Sequence, residues 1–248
     1  MRIAHASIDE NKHISGGQAG NQTGKEVCIR QWYKKPWTVL LRHPDRVVRE
    51  QIATVAETLA TPPYNALIGY DQKERNTLHT VAKRHGYNLL DFYNANEACE
   101  TDCSAFVTCV CLFCGLKQLE YTDNAPTTST MKSVFKRAGF NVLTEDKYVS
   151  GIDYLSKGDI LVKPGAHTVI VLDDGARYGK VQTIEYYPEC APYYVSIVEA
   201  LKSLGVDSSK AYRQIIYSAN FSDPYKGSAS QNKMMLKLLK DGSLKKPS

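Results

Sequence analysis

The sequence has no apolar run long enough to cross a membrane. Its longest, Ala105–Leu116, is broken by Thr108 and falls short of the ~20 residues that a spanning helix needs. The opening Met1-Arg2-Ile3-Ala4-His5 has no apolar signal-peptide core, so synthesis in the cytoplasm without a Sec signal is expected. With 16 glycines and 10 prolines in 248 residues, a collagen-like or low-complexity chain is excluded. A hydrophobic share of 43% against 23% charged residues excludes wholesale disorder. Excess charge is also scarce. The net +5 lies entirely beyond Ala191, where nine Lys/Arg face four Asp/Glu, while residues 1–190 hold 22 of each sign. The main body therefore lacks the basic balance of a nucleic-acid binder. A small basic module beside a neutral body suits attachment to an anionic polymer. No oligomeric state follows from these numbers.

Cysteine is present but in no metal-finger pattern. Cys111 and Cys114 have CxxC spacing, and no second pair follows among the seven cysteines. Structural zinc is not expected, nor is any cofactor. A cytoplasmic origin also makes disulfides unexpected.

The periodicity predicts an α+β chain. Residues 1–43 read as irregular or β-rich, with a glycine-punctuated loop over Ser15–Gly24 that lacks the lysine of a phosphate loop. Asp45 caps a helix carrying Val48, Ile52, Val55 and Leu59 at helical spacing. Further helices are predicted after Asp71, from Cys103 and from about Thr130. The period then changes to strands at 159–162 and 167–172, with a return strand at 181–187 after an Asp173-Asp174-Gly175 turn. Helices followed by an antiparallel sheet is the α+β pattern. Pro188 and Pro192 suggest a boundary, giving a body over 1–190 and a small basic helical module over 191–248. Ser228 and Gln231 have capping-box spacing in the last of its three predicted helices.

The chemistry concentrates at Thr101-Asp102-Cys103-Ser104-Ala105-Phe106-Val107. A helix starting here puts Phe106, Val107, Val110, Cys111 and Cys114 on one apolar face and leaves Cys103 at its head. Free N–H groups and the positive dipole end favour a thiolate there, the attacking species of cysteine acyl transfer. His167 opens an apolar strand, where an imidazole can project into a cleft and take the thiol proton. His79 and His85 lie on a charged helix, and His5, His13 and His43 lie in the irregular N-terminal region; none has a comparable setting.

The order Asp102-Cys103-Ser104-Ala105-Phe106-Val107, then Lys157-Gly158-Asp159-Ile160-Leu161, then His167-Thr168-Val169-Ile170-Val171 resembles the NlpC-like papain-related cell-wall peptidases, and more narrowly the phage endolysins of that superfamily. The resemblance covers residues 85–190 best. It implies a papain-like fold, Cys103 as nucleophile and His167 as base, with no cofactor. It also implies a third polar residue beyond the histidine. A hairpin centred near Ala176 sets Glu185 opposite His167, a tight Asp174-Gly175 turn sets Gln182 there, and Glu185 is the stronger partner for an imidazolium. By the same resemblance Tyr87 is a candidate oxyanion donor; Asp102 and Ser104, which flank the nucleophile, are candidate substrate-binding residues, as is Gln22, which with Thr23 in the glycine loop is placed to shape the cleft. The implied partner is bacterial peptidoglycan or another wall glycopolymer, reached from the host cytoplasm without a signal peptide. The bond is either the γ-D-glutamyl–diamino acid bond or the N-acetylmuramate–L-alanine bond, with the 191–248 module holding the wall. Three rival readings are an inactive wall-binding protein of the same fold, a cysteine-rich metal-binding protein, and a cysteine isopeptidase with an intracellular substrate.

Overall fold

The structure, a computed structural model, describes residues 1–20, 23–178 and 185–247. It divides into two compact units, Met1–Gly179 and Lys180–Ser248, so the second begins ahead of the Pro188–Pro192 segment. Among the described residues the first unit holds a six-stranded antiparallel sheet. Its strands are β1 (Arg2–Ala6), β2 (Val27–Gln31), β3 (Val39–Arg42), β6 (Asn141–Leu143), β7 (Ile160–Lys163) and β8 (His167–Val171), in the order β2-β1-β8-β7-β3-β6. The N-terminal region, read as irregular or β-rich, supplies three strands of this sheet.

Two cores follow from the period-2 alternation of side chains. Ala4, Ala6, Val39, Leu41, Ile160, Val162 and Ile170 lie in one, with Ile52, Ala56 and Leu59 of α1 (Arg46–Leu59) and Phe106, Val107 and Val110 of α4 (Cys103–Phe113). Ile3, Leu40, Leu161, Val169 and Val171 lie in the other, with Trp37, Val149 and Leu155. Helix α1 starts where expected, the Asp45 side chain accepting from the Val47 N–H. Helix α2 (Thr77–Arg84) and α5 (Met131–Arg137) match the predicted segments, while α3 (Leu89–Ala95) and the four-residue α6 (Asp146–Val149) carry no clear apolar stripe.

Two short strands, β4 (Ile68–Tyr70) and β5 (Cys99–Thr101), pair in parallel. Strand β5 runs through Asp102 directly into α4. The strand-to-helix junction fixes where the head of α4 sits.

Strand β8 pairs with β7 on one edge and β1 on the other. Both edges are therefore occupied, with β1 on the edge where a return strand was expected. Residues 181–184, Gln182 included, are outside the described residues, and Tyr186 forms an isolated bridge with Lys245. The Gly158-Asp159 pair has a structural reason. Gly158 has φ +76°, and a Cβ there would stand 2.1 Å from the Arg49 carbonyl oxygen. Asp159 is fully buried, accepting from Arg42 through both oxygens (2.8 and 2.6 Å) and from the Ser156 N–H.

In the second unit, α7 (Ile197–Ser203), α8 (Lys210–Asn220) and α9 (Ala229–Lys240) enclose Ile197, Leu201, Ile216, Tyr217, Met235 and Leu239, joined by Tyr187 and Cys190. The capping box of Ser228 and Gln231 is formed at the head of α9. Several tyrosines serve this fold: Tyr217 donates to Asp223, Tyr225 to Asn232, and Tyr187 meets Tyr212.

Candidate active site

Asp102 organises the head of α4. Its Oδ1 accepts from the Ser104 and Ala105 N–H groups at 2.9 and 2.7 Å, the reciprocal of an N-cap's unsatisfied donors. Arg75 holds the same carboxylate, with Nε 2.6 Å from Oδ2 and Nη2 3.2 Å from Oδ1. The guanidinium also donates to Ser104 Oγ and to the Ala125 and Pro126 carbonyls. Asp102 and Ser104 are buried and their polar atoms are committed to this cap. Both side chains hold the head of the helix.

Cys103 is the first residue of α4 and only 6% exposed. Its sulfur faces the backbone N–H of Thr168, the residue after His167, so the helix head abuts the opening of β8. Burial and the neighbouring Asp102 carboxylate push the thiol up to about 12, against the Thr168 and Ser104 N–H groups and Arg75. The resting sulfur is therefore a thiol, not the thiolate that a helix head alone suggests. Desolvation and Asp102 outweigh a dipole whose first amides are already capped.

His167 opens β8 and is 8% exposed. Its Nε2 stands 3.2 Å from Nδ1 of His5, which lies on the adjoining β1. Trp37 stacks on it with ring centroids 6.3 Å apart, and Tyr33 packs on Trp37. Burial lowers His167 to about 4, with Lys35 and Arg30 acting in the same direction and Asp102 opposing. His5 is lowered to about 3, by burial first and then by His167, Arg30 and Lys35. Both rings are neutral near pH 7. With His167 Nε2 engaged, its Nδ1 is the nitrogen left for a thiol proton. Tyr33 and Tyr70 are close enough to feel charge on Cys103, and Tyr70 is almost fully buried at the end of β4.

Among the remaining expected site residues, Tyr87 is not brought to this centre. Glu185 lies in the second unit, exposed and 3.1 Å from Lys246 Nζ. His167 has His5 as its partner, because β1 takes the edge that a return strand was expected to fill. Tyr87 donates to Glu120 and packs edge-on against Phe113, the last residue of α4. It stands at the far end of the helix from Cys103, roughly 15 Å away at 1.5 Å per residue, and cannot serve as an oxyanion donor. Gln22 lies outside the described residues, and Thr23 donates its N–H to Glu26. Sequence reasoning missed His5, Trp37, Tyr70 and Arg75.

The neutral histidines have a measurable consequence. Their folded values lie below the ordinary 6.5, so as pH falls through 6.5 the unfolded chain takes up protons first and stability is lost down to about pH 4. Each buried ring withdraws about 1.4 kcal/mol per pH unit over that window. The melting temperature of the wild type should fall more steeply between pH 6.5 and 4.5 than that of His167→Gln. Equal slopes would contradict the neutral, buried assignment.

The sequence model of the endolysin-like domain family matches residues 3–178. No curated protein and no solved structure matches the chain significantly. The matched span contains Cys103, His167, His5 and Arg75 and stops at the end of the first unit.

Proposed function

The chain belongs to the endolysin-like domain family, and from that premise we propose that it cleaves an amide bond of the peptidoglycan stem peptide by cysteine–histidine acyl transfer. Membership itself implies a phage-type hydrolase of the cell wall, acting on peptidoglycan. The observation that carries the finer reading is the placement of a buried thiol at the head of α4 against the opening of β8, where the buried imidazole of His167 begins. The NlpC-like papain arrangement is part of the same proposal. It is supported by the strand-to-helix cysteine; the third polar residue departs from the expected place, being His5 on β1, ahead of the cysteine in the chain.

In this mechanism His167 Nδ1 takes the proton from Cys103 Sγ as the sulfur attacks the amide carbonyl. A base adjacent to an un-ionised thiol is one of the standard ways to activate a nucleophile. For Nδ1 to be free, His167 must carry its proton on Nε2 and donate to His5 Nδ1. His5 then accepts, keeps its own proton on Nε2, and continues to accept when His167 becomes imidazolium. That fixes the ring's orientation as a third residue does in other nucleophile–histidine pairs. The Cys103 backbone N–H, outside the i→i−4 ladder at the helix head, stabilises the developing oxyanion. Imidazolium returns the proton to the leaving amine, and the ring then deprotonates a water that hydrolyses the thioester.

The second unit, with the basic excess of its sequence, is proposed to hold the wall through an anionic glycopolymer. The test is digestion of purified sacculi followed by mass spectrometry of the soluble fragments. The expected result is one new free amine per cut, at a single type of stem-peptide bond. New reducing sugar ends with intact peptides would overturn the amidase reading and leave the wall-hydrolase family assignment standing.

A further inference from the structure

The sheet face that carries the two histidines continues outward into a groove. In the β1–β2 register His5 stands opposite Cys28 and Ile3 opposite Arg30, while Ile3 also stands opposite Val171 of β8. Side chains alternate along a strand and directly opposed residues share a face. His167, His5, Cys28 and Arg30 therefore project from one face, and Arg30 is the diagonal neighbour of His5, about 7–8 Å away. A groove of about 360 Å³ opens here, lined by His5, Ser7, Ile8, Lys25, Cys28 and Arg30. Two of these side chains are cationic and none is acidic. The carboxylate that acts on Cys28 is that of Glu26, which is fully buried and accepts from the Thr23 N–H.

Arg30 is exposed on β2, an edge strand of the sheet. Among the described residues it has no carboxylate partner, and its guanidinium carbon lies over the Tyr33 ring, 4.8 Å from the centroid. An aromatic face steadies a guanidinium while leaving its N–H fork open to an anion. Tyr33 packs on Trp37, which stacks on His167, so two rings tie this cation to the proposed base. The charges of Arg30 and Lys35 both act on His5 and His167. Strands β8 and β2 flank β1 on either side. At about 4.8 Å per strand they lie roughly 10 Å apart, which about three residues of extended peptide span.

We propose, resting on the amidase reading, that this groove is an anion subsite in which Arg30 binds the free α-carboxylate of the stem peptide's glutamate and so selects carboxylate over carboxamide. The guanidinium fork matches the two oxygens of a carboxylate with two parallel charge-assisted bonds. A carboxamide offers one oxygen and sets its own N–H groups against those of the fork. The cationic lining also draws an anionic substrate toward the histidines from a distance.

The test uses two soluble muropeptides that differ only in this group, α-carboxylate or α-carboxamide. Their binding to full-length Cys103→Ala is measured in a calorimeter, and their turnover is measured with the wild type. Cys103→Ala should bind the carboxylate form at least about tenfold tighter, and adding Arg30→Gln should bring that ratio within about twofold of unity. Arg30→Lys should keep part of the ratio, because it retains the charge and loses the fork. In turnover, Arg30→Gln should lower kcat/KM for the carboxylate form at least about tenfold more than for the carboxamide form. Equal binding of the two forms by Cys103→Ala, no binding of either, or a preference that survives Arg30→Gln would overturn the subsite. The comparison within Cys103→Ala needs no change at Arg30, so it decides even where an Arg30 variant folds poorly. A preference abolished by Arg30→Gln, with no turnover of either form by the wild type, would support the subsite and remove the amidase reading.

Discussion

Cys103→Ala is expected to lower the rate of sacculus digestion by at least about 10³-fold, as removal of a catalytic nucleophile does in other hydrolases. The effect is large because the sulfur is the proposed attacking atom. The described cysteines are all free, and Cys99, Cys109 and Cys111 are sealed in the α4 core with their thiols pushed far from ionisation by burial. The fold should tolerate the change. It removes one atom from a site where Asp102 disfavours the charged form, and the cap on Ser104 and Ala105 stays intact. Unchanged thermal melting with lost digestion is the expected pair of results. Lost digestion with a collapsed melt would point to folding instead, and retained digestion would remove Cys103 from the mechanism.

Arg75→Met carries the largest expected cost in stability. Arg75 joins α2's approach to the head of α4 through two contacts to Asp102, one to Ser104 and two to the carbonyls of Ala125 and Pro126. Its loss leaves the Asp102 carboxylate buried without its cation, which costs about 3–5 kcal/mol for a broken buried pair. For a chain of this size that lowers the melting temperature by about 10 °C. Arg75→Lys should recover only part of this, because an ammonium cannot span both Asp102 oxygens and the carbonyls at once. A melting temperature within 2–3 °C of wild type, measured for Arg75→Met by calorimetry, would show that the cap is sustained without the guanidinium.

How much of this was legible depends on the distance over which each feature is encoded. The helix head at Cys103 shows in six consecutive residues, because Asp102 is a good N-cap and the apolar stripe begins immediately after it. The β-branched run after His167 marks β8 in the same way. His5 could not be read. Its bond to His167 spans 162 positions, and nothing local in Arg2–Ala6 tells which strand lies beside it. The hairpin that selected Glu185 assumed that β8 pairs with the chain that follows it, whereas the chain's first strand occupies that edge. Strands β4 and β5 have three residues each, too few for alternation to register. Arg75 sits in the polar run Asp71-Gln72-Lys73-Glu74-Arg75-Asn76, where its burial leaves no trace. Gly158 and Asp159 were legible as a motif, yet their reason, a close approach to the Arg49 carbonyl and a buried pair with Arg42, is tertiary.

The sulfur's part in bond cleavage is tested most directly by rapid-quench mass spectrometry of the protein during turnover on soluble muropeptides. The account predicts a transient mass gain equal to the acyl half of the cleaved substrate, mapped to the peptide containing Cys103 and absent from Cys103→Ala. Steady hydrolysis with no adduct on the wild type and undiminished turnover by Cys103→Ala would contradict it.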